Sequence, residues 1–435
     1  MSLFHQALAL DHTAFASVLA TAPRLLIIQD LDGVCMELVK DPRDRIISSK
    51  YLKATLAFEN QFYVLTNGEH VGSCGLQRIV DAALESQRNQ QNELVEAPLA
   101  AKKGLYLPGL AAGGVQWQDR YGQVSHPGVG ASELSFLASV PQRMAEVLTV
   151  FLDRHCAAIL PASTRRGLVK AAVLDNLVSP TANLNALHTK IGHNVALFAQ
   201  LQADMVALMQ RLLQDAEAQG LAKQFFVHYA PNLGPSQTGG EQVWFADNHT
   251  AGSTDFQFML KGAVKEAGVL ALLNHYFFVH TGRYPLGANF NARQAPSSLS
   301  ELLQLVVDHF DPAYMPIIIG VGDTITSKGI ESSGRLAFQR GGSDRNFLQL
   351  IQNIGETIGT PTLRAYVDSS RGELSNRQSI QIALDPQGQP QVVGGIGDPR
   401  DIEDPLKLNV VFPEGHKQYC NTFQAAASRR QQAFR

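Results

Sequence analysis

Four short aliphatic segments, each followed by a polar turn, constrain the fold of this chain more than any other feature. They are Leu25–Ile28, Phe62–Leu65, Met315–Val321 and Leu363–Val367. Apart from Arg364, their apolar residues are consecutive, as in strands that are covered by helices on both faces. Helical segments such as Ser298–His309 separate them. This alternation predicts an α/β fold built on a doubly wound, Rossmann-like parallel sheet.

The polar residues that follow these strands are the first candidates for chemistry. They are Asp30, Asp32, Thr66, Asp323 and Asp368. The carboxyl ends of parallel strands meet at one edge of a sheet, and ligands of open α/β sheets bind there. The sequence therefore predicts that these side chains share one site.

A chain of 435 residues is too long for one ordinary core, which predicts two domains or one domain with a large insertion. The insertion begins near Ala131, contains a long amphipathic helix at Asn194–Gln219 and a strand at Lys223–Tyr229, and ends near Gly252. We predict core, cap and core again over residues 1–130, 131–252 and 253–435.

Composition excludes several classes of partner. A formal net charge of −3 argues against nucleic acid or an anionic membrane surface, because both select basic proteins. No apolar run is long enough to span a membrane, and the first residues do not resemble a signal peptide. The four cysteines form no CxxC pair, which favours reduced thiols and a cytoplasmic location.

The turn Asp30-Leu31-Asp32-Gly33 offers two carboxylates at one strand end. One can attack phosphorus as a nucleophile, and the other can act as general acid and base. Phosphoryl transfer also needs a cation held by hard oxygen ligands, which suits Mg²⁺ between Asp30 and Asp323. A plain hydrophilic turn is the simpler alternative. A calcium loop is excluded because Val34 and Asp41 occupy the fifth and twelfth loop positions.

Two further segments could hold a phosphate group. Thr66-Asn67-Gly68 offers a hydroxyl and backbone amides, although such turns are common in α/β proteins. Lys261, followed by Gly262 where a helix opens after the cap, could hold the phosphate and the nucleophile together. A solvated helix lysine is the alternative, and Lys265, one helical turn later, competes for the role.

These motifs, in this order, resemble those of the haloacid dehalogenase-like (HAD) sugar phosphatases, including trehalose- and sucrose-phosphate phosphatases. The insertion between the second and third motifs is similar to the C2-type α/β cap of that family. The resemblance implies Asp30 as nucleophile, Asp32 as general acid and base, and Thr66 and Lys261 as phosphate ligands. It also implies Mg²⁺ held by Asp30, the Asp32 carbonyl and Asp323.

The chain departs from the family pattern after Asp323. A second acidic residue usually follows within a few positions, but Thr326-Ser327 stands there. The stretch Ser327–Gly342 looks like an inserted hairpin or loop, after which Asp344 resumes the family pattern. We therefore expect Asp344 to be the second metal acid, with water or Thr324 as the alternative.

Longer segments are similar to the branch of this family that releases a neutral glycosylated polyol, a compatible solute, during salt acclimation. They are Gln29–Glu37, Leu65–Gly72, Leu105–Trp117 and Ser179–Asn185. The resemblance implies a small glycosyl phosphate as substrate, with another glycosyl phosphate such as sucrose phosphate as the alternative. A regulatory family member that binds a glycosyltransferase is a third possibility, although Asp30, Asp32 and Lys261 are all present.

A polyol requires many hydrogen bonds from the pocket that binds it. Glu69 and His70, directly after the phosphate-binding turn, are the candidates in the core. The candidates in the cap are Asn176, Asn183, Asn185 and His228. For each residue taken singly, a loop-capping or surface role is the alternative.

Overall fold

The computed structural model describes residues 2–89, 99–235, 240–332, 335–374 and 377–434. The strands in this part of the chain are β1 (Leu25–Gln29), β2 (Phe62–Leu65), β3 (Gly109–Ala111), β4 (Gln116–Gln118), β5 (Val124–Ser125), β6 (Val173–Leu174), β7 (Thr181–Asn183), β8 (Phe225–Ala230), β9 (Asn232–Pro235), β10 (Glu241–Val243), β11 (Asp255–Leu260), β12 (Ile317–Gly322), β13 (Thr326–Ser332), β14 (Arg335–Gly341), β15 (Thr362–Val367), β16 (Gln381–Leu384), β17 (Pro390–Gly394) and β18 (Val410–Phe412).

The α-helices are α1 (His12–Thr21), α2 (Ser49–Thr55), α3 (Leu76–Asn89), α4 (Leu99–Lys103), α5 (Ala131–His155), α6 (Ala162–Ala172), α7 (Asn185–Ile191), α8 (Val195–Ala218), α9 (Lys265–Thr281), α10 (Leu299–His309), α11 (Arg345–Ile358) and α12 (His416–Ala433). Short 3₁₀ helices lie at Leu3–His5, Pro42–Asp44, Leu56–Phe58, Ala112–Gly114, Ala292–Gln294 and Pro312–Tyr314.

The core is an eight-stranded sheet in the order β18-β15-β12-β1-β2-β3-β4-β5. The strands from β18 to β3 are parallel, and the hairpin strands β4 and β5 are antiparallel. Leu25 and Ile27 pack in one layer with α1, α2, α3 and α12, while Leu26 and Ile28 pack in the other with α9, α10 and α11. The predicted doubly wound α/β fold is therefore confirmed.

Local sequence signals predicted several elements well. All four predicted strands are present, although β12 begins at Ile317 rather than Met315, after Pro316, which has no amide hydrogen to donate. Helices α8 and α10 begin after Asn194 and Ser298, whose side chains accept hydrogen bonds from backbone amides of the first turn.

The inserted cap contains a four-stranded sheet in the order β6-β7-β11-β8, with all pairs antiparallel. Helices α5 to α8 pack with it in a separate hydrophobic core. Strand β11 pairs with both β7 and β8 and buries Phe256 and Phe258 in that core. The cap sheet therefore continues to Leu260, and the predicted cap boundary at Gly252 is corrected because it cut off a central strand.

Three two-stranded antiparallel sheets of the described residues lie outside the core and cap sheets: β9–β10, β13–β14 and β16–β17. The insertion predicted at Ser327–Gly342 is the antiparallel hairpin β13–β14, whose residues 333 and 334 lie outside the described residues. This hairpin contacts the cap, where Thr326 Oγ1 donates a hydrogen bond of 2.7 Å to the carbonyl of Asn232. That carbonyl belongs to β9, which pairs with β10.

We find no helix of the described residues with both the length and the apolar character needed to cross a membrane.

Candidate active site

A cleft lies between the carboxyl ends of β1, β2 and β12 and the facing cap. It encloses about 880 Å³ of space outside the protein atoms, part of which is open to solvent. Asp30, Asp32, Thr66 and Asp323 all line it, so the structure brings together four of the five residues predicted from strand ends.

Asp30 is held by contacts to both of its carboxylate oxygens. Oδ1 accepts a hydrogen bond of 2.8 Å from the Leu31 amide, and Oδ2 lies 2.6 Å from Nζ of Lys265. Burial raises the pKa of Asp30, the carboxylates of Asp344 and Asp323 add to this effect, and Lys265 opposes it. These contacts orient the Asp30 carboxylate and keep the positive charge of Lys265 beside Oδ2.

Lys265, the first residue of α9, is the lysine of the cleft. Its Nζ also lies 2.6 Å from Oδ1 of Asp344, and its side chain is buried. Burial alone would lower the pKa of Lys265, but the carboxylates of Asp30 and Asp344 outweigh burial and raise it. The ammonium group therefore bridges two acidic residues.

Lys261 does not reach the cleft, and its assignment as the phosphate lysine is corrected. It is exposed in the turn after β11, where its amide donates to the Gln224 carbonyl and its own carbonyl accepts a hydrogen bond from Arg293. Of the two lysines, Lys265 at the start of α9 lines the cleft and Lys261 does not.

Asp344 organises the turn after β12. Its Oδ2 accepts hydrogen bonds from the amides of Asp323 (2.8 Å) and Thr324 (2.9 Å), while Oδ1 receives Lys265. The side chain is completely buried. The structure thus places Asp344 beside Asp323 across the β13–β14 insertion, as the sequence predicted.

The acidic cluster of Asp30, Asp323 and Asp344 fits a divalent cation. One carboxylate oxygen from each residue lies within 4.8 Å of the other two. Asp323 Oδ2 is buried and accepts no hydrogen bond from the described residues, although Arg377 Nε lies 3.9 Å away. Hard carboxylate oxygens are the ligands that Mg²⁺ prefers, and buried carboxylates need compensating charge. The donor set therefore fits the expected metal.

Arginines face two of the cleft aspartates. Arg45 Nε lies 2.9 Å from Oδ1 of Asp32, and both side chains are partly exposed. Arg377 Nη2 donates a hydrogen bond of 3.1 Å to the hydroxyl of Thr324. Sequence reasoning missed both arginines, since neither lies in a recognisable motif and each approaches the cleft from a loop.

The turn Thr66-Asn67-Gly68 opens on the cleft as predicted. The Thr66 hydroxyl accepts a hydrogen bond of 3.3 Å from the Gly68 amide, and Asn67 Nδ2 lies 2.9 Å from Nε2 of His228. His228 Nδ1 in turn lies 2.8 Å from Glu241. His228 was predicted to contact substrate, but its ring nitrogens are engaged by Asn67 and Glu241, and it does not line the cleft.

Burial opposes the protonated form of His228, but the charge of Glu241 and its hydrogen bond outweigh burial and raise the pKa of the imidazole. The ring therefore links Glu241 of the cap to Asn67 in the turn after β2.

Glu69 joins the core to the cap. Its carboxylate accepts hydrogen bonds of 2.7–3.0 Å from the amides of Leu177, Val178 and Ser179, and others from the Ser179 hydroxyl and Gln116. A carboxylate with this many donors has little capacity left for a ligand. Glu69 lines the cleft as predicted, and the bonds to Leu177, Val178 and Ser179 make it in addition an anchor for the cap.

His70 and Asp368, in contrast, do not line the cleft. His70 is completely buried beside the Gly109 carbonyl, and burial lowers the pKa of its ring to about 4. Asp368 accepts hydrogen bonds from the amides of Ser370 and Ile380. His70 was predicted to bind substrate and Asp368 to share the site, and both residues instead shape the core.

The cap supplies the remaining wall. Asn176, Asn183 and Asn185 line the cleft as predicted, together with Asp255 and Gln257, which sequence reasoning missed. The alternation of polar and aromatic residues at Asp255-Phe256-Gln257-Phe258 is the pattern of a half-buried strand and could have revealed them.

Comparison with known proteins gives a consistent family. A family model described as glucosylglycerol-phosphate phosphatase matches residues 24–427. A Synechocystis protein named glucosylglycerol-phosphate phosphatase is 52% identical over 434 residues, which is 100% of both chains.

Solved structures share far less sequence with this chain. The C-terminal domain of a trehalose-6-phosphate phosphatase from C. albicans is 12% identical, with a TM-score of 0.43 over 97% of this chain and 98% of that one. A trehalose-6-phosphate phosphatase from Aspergillus fumigatus is 11% identical, with a TM-score of 0.36 over 97% and 99%.

Proposed function

The chain belongs to the glucosylglycerol-phosphate phosphatase family, and we propose that it hydrolyses glucosylglycerol 3-phosphate to glucosylglycerol and phosphate. The full-length identity of 52% to a relative of that name carries the choice of substrate. The product would serve as a compatible solute in salt tolerance. The free thiols of the four cysteines are compatible with the cytoplasmic location that we propose.

The first chemical step is attack by Asp30 on phosphorus. A carboxylate oxygen of Asp30 forms a bond to phosphorus as the bond from phosphorus to the ester oxygen breaks. Lys265, 2.6 Å from Asp30 Oδ2, supplies positive charge beside the transferred group. The departing alkoxide takes a proton from Asp32, and an aspartyl-phosphate remains on the enzyme.

In the second step Asp32 accepts a proton from water. The water oxygen bonds to phosphorus, the bond from phosphorus to Asp30 breaks, and inorganic phosphate leaves. The ion pair with Arg45 keeps the Asp32 side chain oriented toward the cleft. Thr66 and the amides after it bind the phosphoryl oxygens.

We propose that Asp30, Asp323 and Asp344 hold Mg²⁺. When bound, the ion neutralises charge on the phosphoryl group. Asp344 already accepts from Lys265 and from two backbone amides, and it could also hold the ion because a carboxylate has about four acceptor sites.

A phosphate-release assay tests the proposal. The panel contains glucosylglycerol 3-phosphate, sucrose phosphate and trehalose 6-phosphate, each with Mg²⁺ and with excess chelator. We expect the first substrate to be preferred and the chelator to abolish turnover. Asp30→Asn, which keeps the shape but cannot attack phosphorus, should be inactive with an unchanged circular dichroism spectrum. Preference for sucrose phosphate would favour the alternative substrate, and full activity in chelator would exclude the metal.

A further inference from the structure

The residue directly before Asp30 is a glutamine that the fold buries completely. Gln29 is the last residue of β1, and its side chain lies on the face that Leu25 and Ile27 present to α2 and α12. Leu25 and Ile27 are apolar, as expected of a strand that helices cover. Burying a side-chain amide in such a layer costs free energy unless its polar atoms are paired. The partners of Gln29 therefore indicate what the residue does.

Two tyrosines fix the side chain of Gln29. The hydroxyl of Tyr51, on α2, and the hydroxyl of Tyr419, on α12, each donate a hydrogen bond of 2.7 Å to Gln29 Oε1. A carbonyl oxygen has two lone pairs, so these donors use its full capacity. Both tyrosines are completely buried, and burial raises the pKa of each hydroxyl well above its usual value of 10, which keeps it protonated as a donor.

The amide nitrogen of Gln29 holds the backbone of Asp30. Nε2 donates a hydrogen bond of 3.2 Å to the Asp30 carbonyl. That carbonyl belongs to the same peptide group as the Leu31 amide, which donates a hydrogen bond of 2.8 Å to Asp30 Oδ1. Because a peptide group is planar, holding its carbonyl at one end also fixes the direction of its N–H at the other. Gln29 therefore sets the direction of the donor that orients the Asp30 carboxylate.

The hydrogen bonds of this network all run in one sense. Tyrosine hydroxyls donate to the Gln29 carbonyl, the Gln29 amide donates to the Asp30 carbonyl, and the Leu31 amide donates to the carboxylate. Hydrogen bonds in series polarise one another where the dielectric constant is low. Every group before the carboxylate is neutral, so the network orients Asp30 without adding charge to the acidic cluster.

We propose that Gln29, Tyr51 and Tyr419 are positioning residues that hold the Asp30 carboxylate, through the Asp30–Leu31 peptide group, in the orientation from which it attacks phosphorus. This inference rests on the proposed function, because it takes Asp30 as the nucleophile. None of the three residues lines the cleft, so their effect reaches the reaction through Asp30 alone. A misplacement of about 1 Å can cost a reaction about 10²-fold in rate.

The decisive variant is the triple substitution Gln29→Leu/Tyr51→Phe/Tyr419→Phe. It replaces the side-chain network by apolar groups of similar shape, which is nearly neutral for stability, and it leaves the Asp30 carbonyl without the Gln29 donor. Gln29→Leu alone leaves two buried hydroxyls without their acceptor and should have the lower melting temperature. In both variants kcat should fall at least about tenfold while KM changes by less than about twofold, because only the attacking group is misplaced.

The kinetics of the triple variant separate positioning from a purely structural role. A structural network predicts that activity follows stability, so the triple variant would regain kcat together with its melting temperature, and that result would overturn the inference. The loss should also be similar for glucosylglycerol 3-phosphate and p-nitrophenyl phosphate, since both are attacked by the same carboxylate. A loss confined to one substrate would likewise contradict the proposal.

Tyr106→Phe is the matched control. Tyr106 is buried and does not line the cleft, and its hydroxyl donates a hydrogen bond of 3.0 Å to Asp81. It should keep the wild-type kcat. If the triple variant does not fold, Tyr419→Phe decides: its kcat should fall at least about threefold with KM unchanged, as expected for part of one hydrogen bond. Equal kcat in Tyr419→Phe and Tyr106→Phe would overturn the inference.

Asp30→Asn, measured beside these variants, separates this inference from the proposed function. If Asp30→Asn remains active, Asp30 is not the nucleophile, and the proposed function and the positioning role both fail. If Asp30→Asn is inactive and the triple variant turns over at the wild-type rate, the proposed function stands and the positioning role alone is wrong.

Discussion

Nζ of Lys265 lies 2.6 Å from Oδ2 of Asp30, although 234 residues and the whole cap separate the two in sequence. The contact joins the start of α9 to the end of β1. The lysine beside Asp30 is therefore Lys265, one helical turn after Lys261, which the Lys-Gly motif suggested.

Replacing each lysine by methionine tests this assignment. Lys265→Met should lower kcat/KM by about 10²–10³-fold, because it removes a cation placed where charge develops. Lys261→Met should change kcat/KM by less than about twofold, as is usual for an exposed residue. Steady-state phosphate release measures both, and a larger loss in Lys261→Met would reverse the assignment.

Gly33 brings the turn after β1 against Asp323. Its φ is +76°, and a Cβ there would lie 2.2 Å from Asp323 Oδ2. Gly33→Ala should therefore displace that carboxylate and lower kcat/KM by at least about 10²-fold, the effect expected of a misplacement near 1 Å.

Gly388 is a matched control for this substitution. It has the same φ of +76°, but no heavy atom lies within 4 Å of the position that an added Cβ would occupy. Gly388→Ala should cost about 1–2 kcal/mol of backbone strain and keep full activity. Equal activity in the two variants would show that the contact with Asp323 is unimportant.

Variants of Asp344 and Thr326 test whether Asp344, after the β13–β14 insertion, is the second acidic ligand of the metal. Asp344→Asn keeps the shape but removes the charge, and it should raise the Mg²⁺ concentration for half-maximal activity by about tenfold or more. Thr326→Ala should have little effect, since its hydroxyl bonds the Asn232 carbonyl at the cap. Activity measured against Mg²⁺ concentration decides, and equal shifts would contradict the role of Asp344.

Glu69 should matter for stability. Glu69→Ala leaves the amides of Leu177, Val178 and Ser179 without their acceptor and should lower the free energy of unfolding by about 3 kcal/mol. Glu85→Ala, at an exposed position of α3, should change it by less than about 0.5 kcal/mol. Urea denaturation measures both. Similar values for the two variants would remove Glu69 as the anchor of the cap.

The raised pKa of His228 predicts how the stability of the fold depends on pH. Because its folded pKa is raised above 6.5, the pair with Glu241 stabilises the protein fully below pH 6.5 and loses this contribution as pH rises through the folded pKa. The wild type should therefore exceed His228→Gln in unfolding free energy by more at pH 6 than at pH 9.

His275 provides the opposite control for that measurement. Burial lowers its pKa, so its contribution is lost as pH falls below 6.5, and the advantage over His275→Gln should be greater at pH 9. The same trend in both variants would contradict the assignment to His228.

The sequence by itself determined the sheet and most of its catalytic edge. Apolar runs such as Leu25–Ile28 can be satisfied only between two layers of helices, and the polar turns after them must then meet at one edge. Asp30, Asp32, Thr66 and Asp323 were therefore predictable from local pattern. Asp344 followed from the family resemblance, because the hairpin between it and Asp323 leaves the order of motifs intact.

Only the tertiary structure decided which lysine lines the cleft, what Glu69 binds, and which face of the cap sheet lines the cleft. Lys261 and Lys265 differ by one helical turn, and their choice depends on where β11 ends and how α9 packs on the sheet. The partners of Glu69 at Leu177–Ser179 lie more than 100 residues away. Such contacts depend on how separate elements pack against each other, which no local spacing of residues encodes.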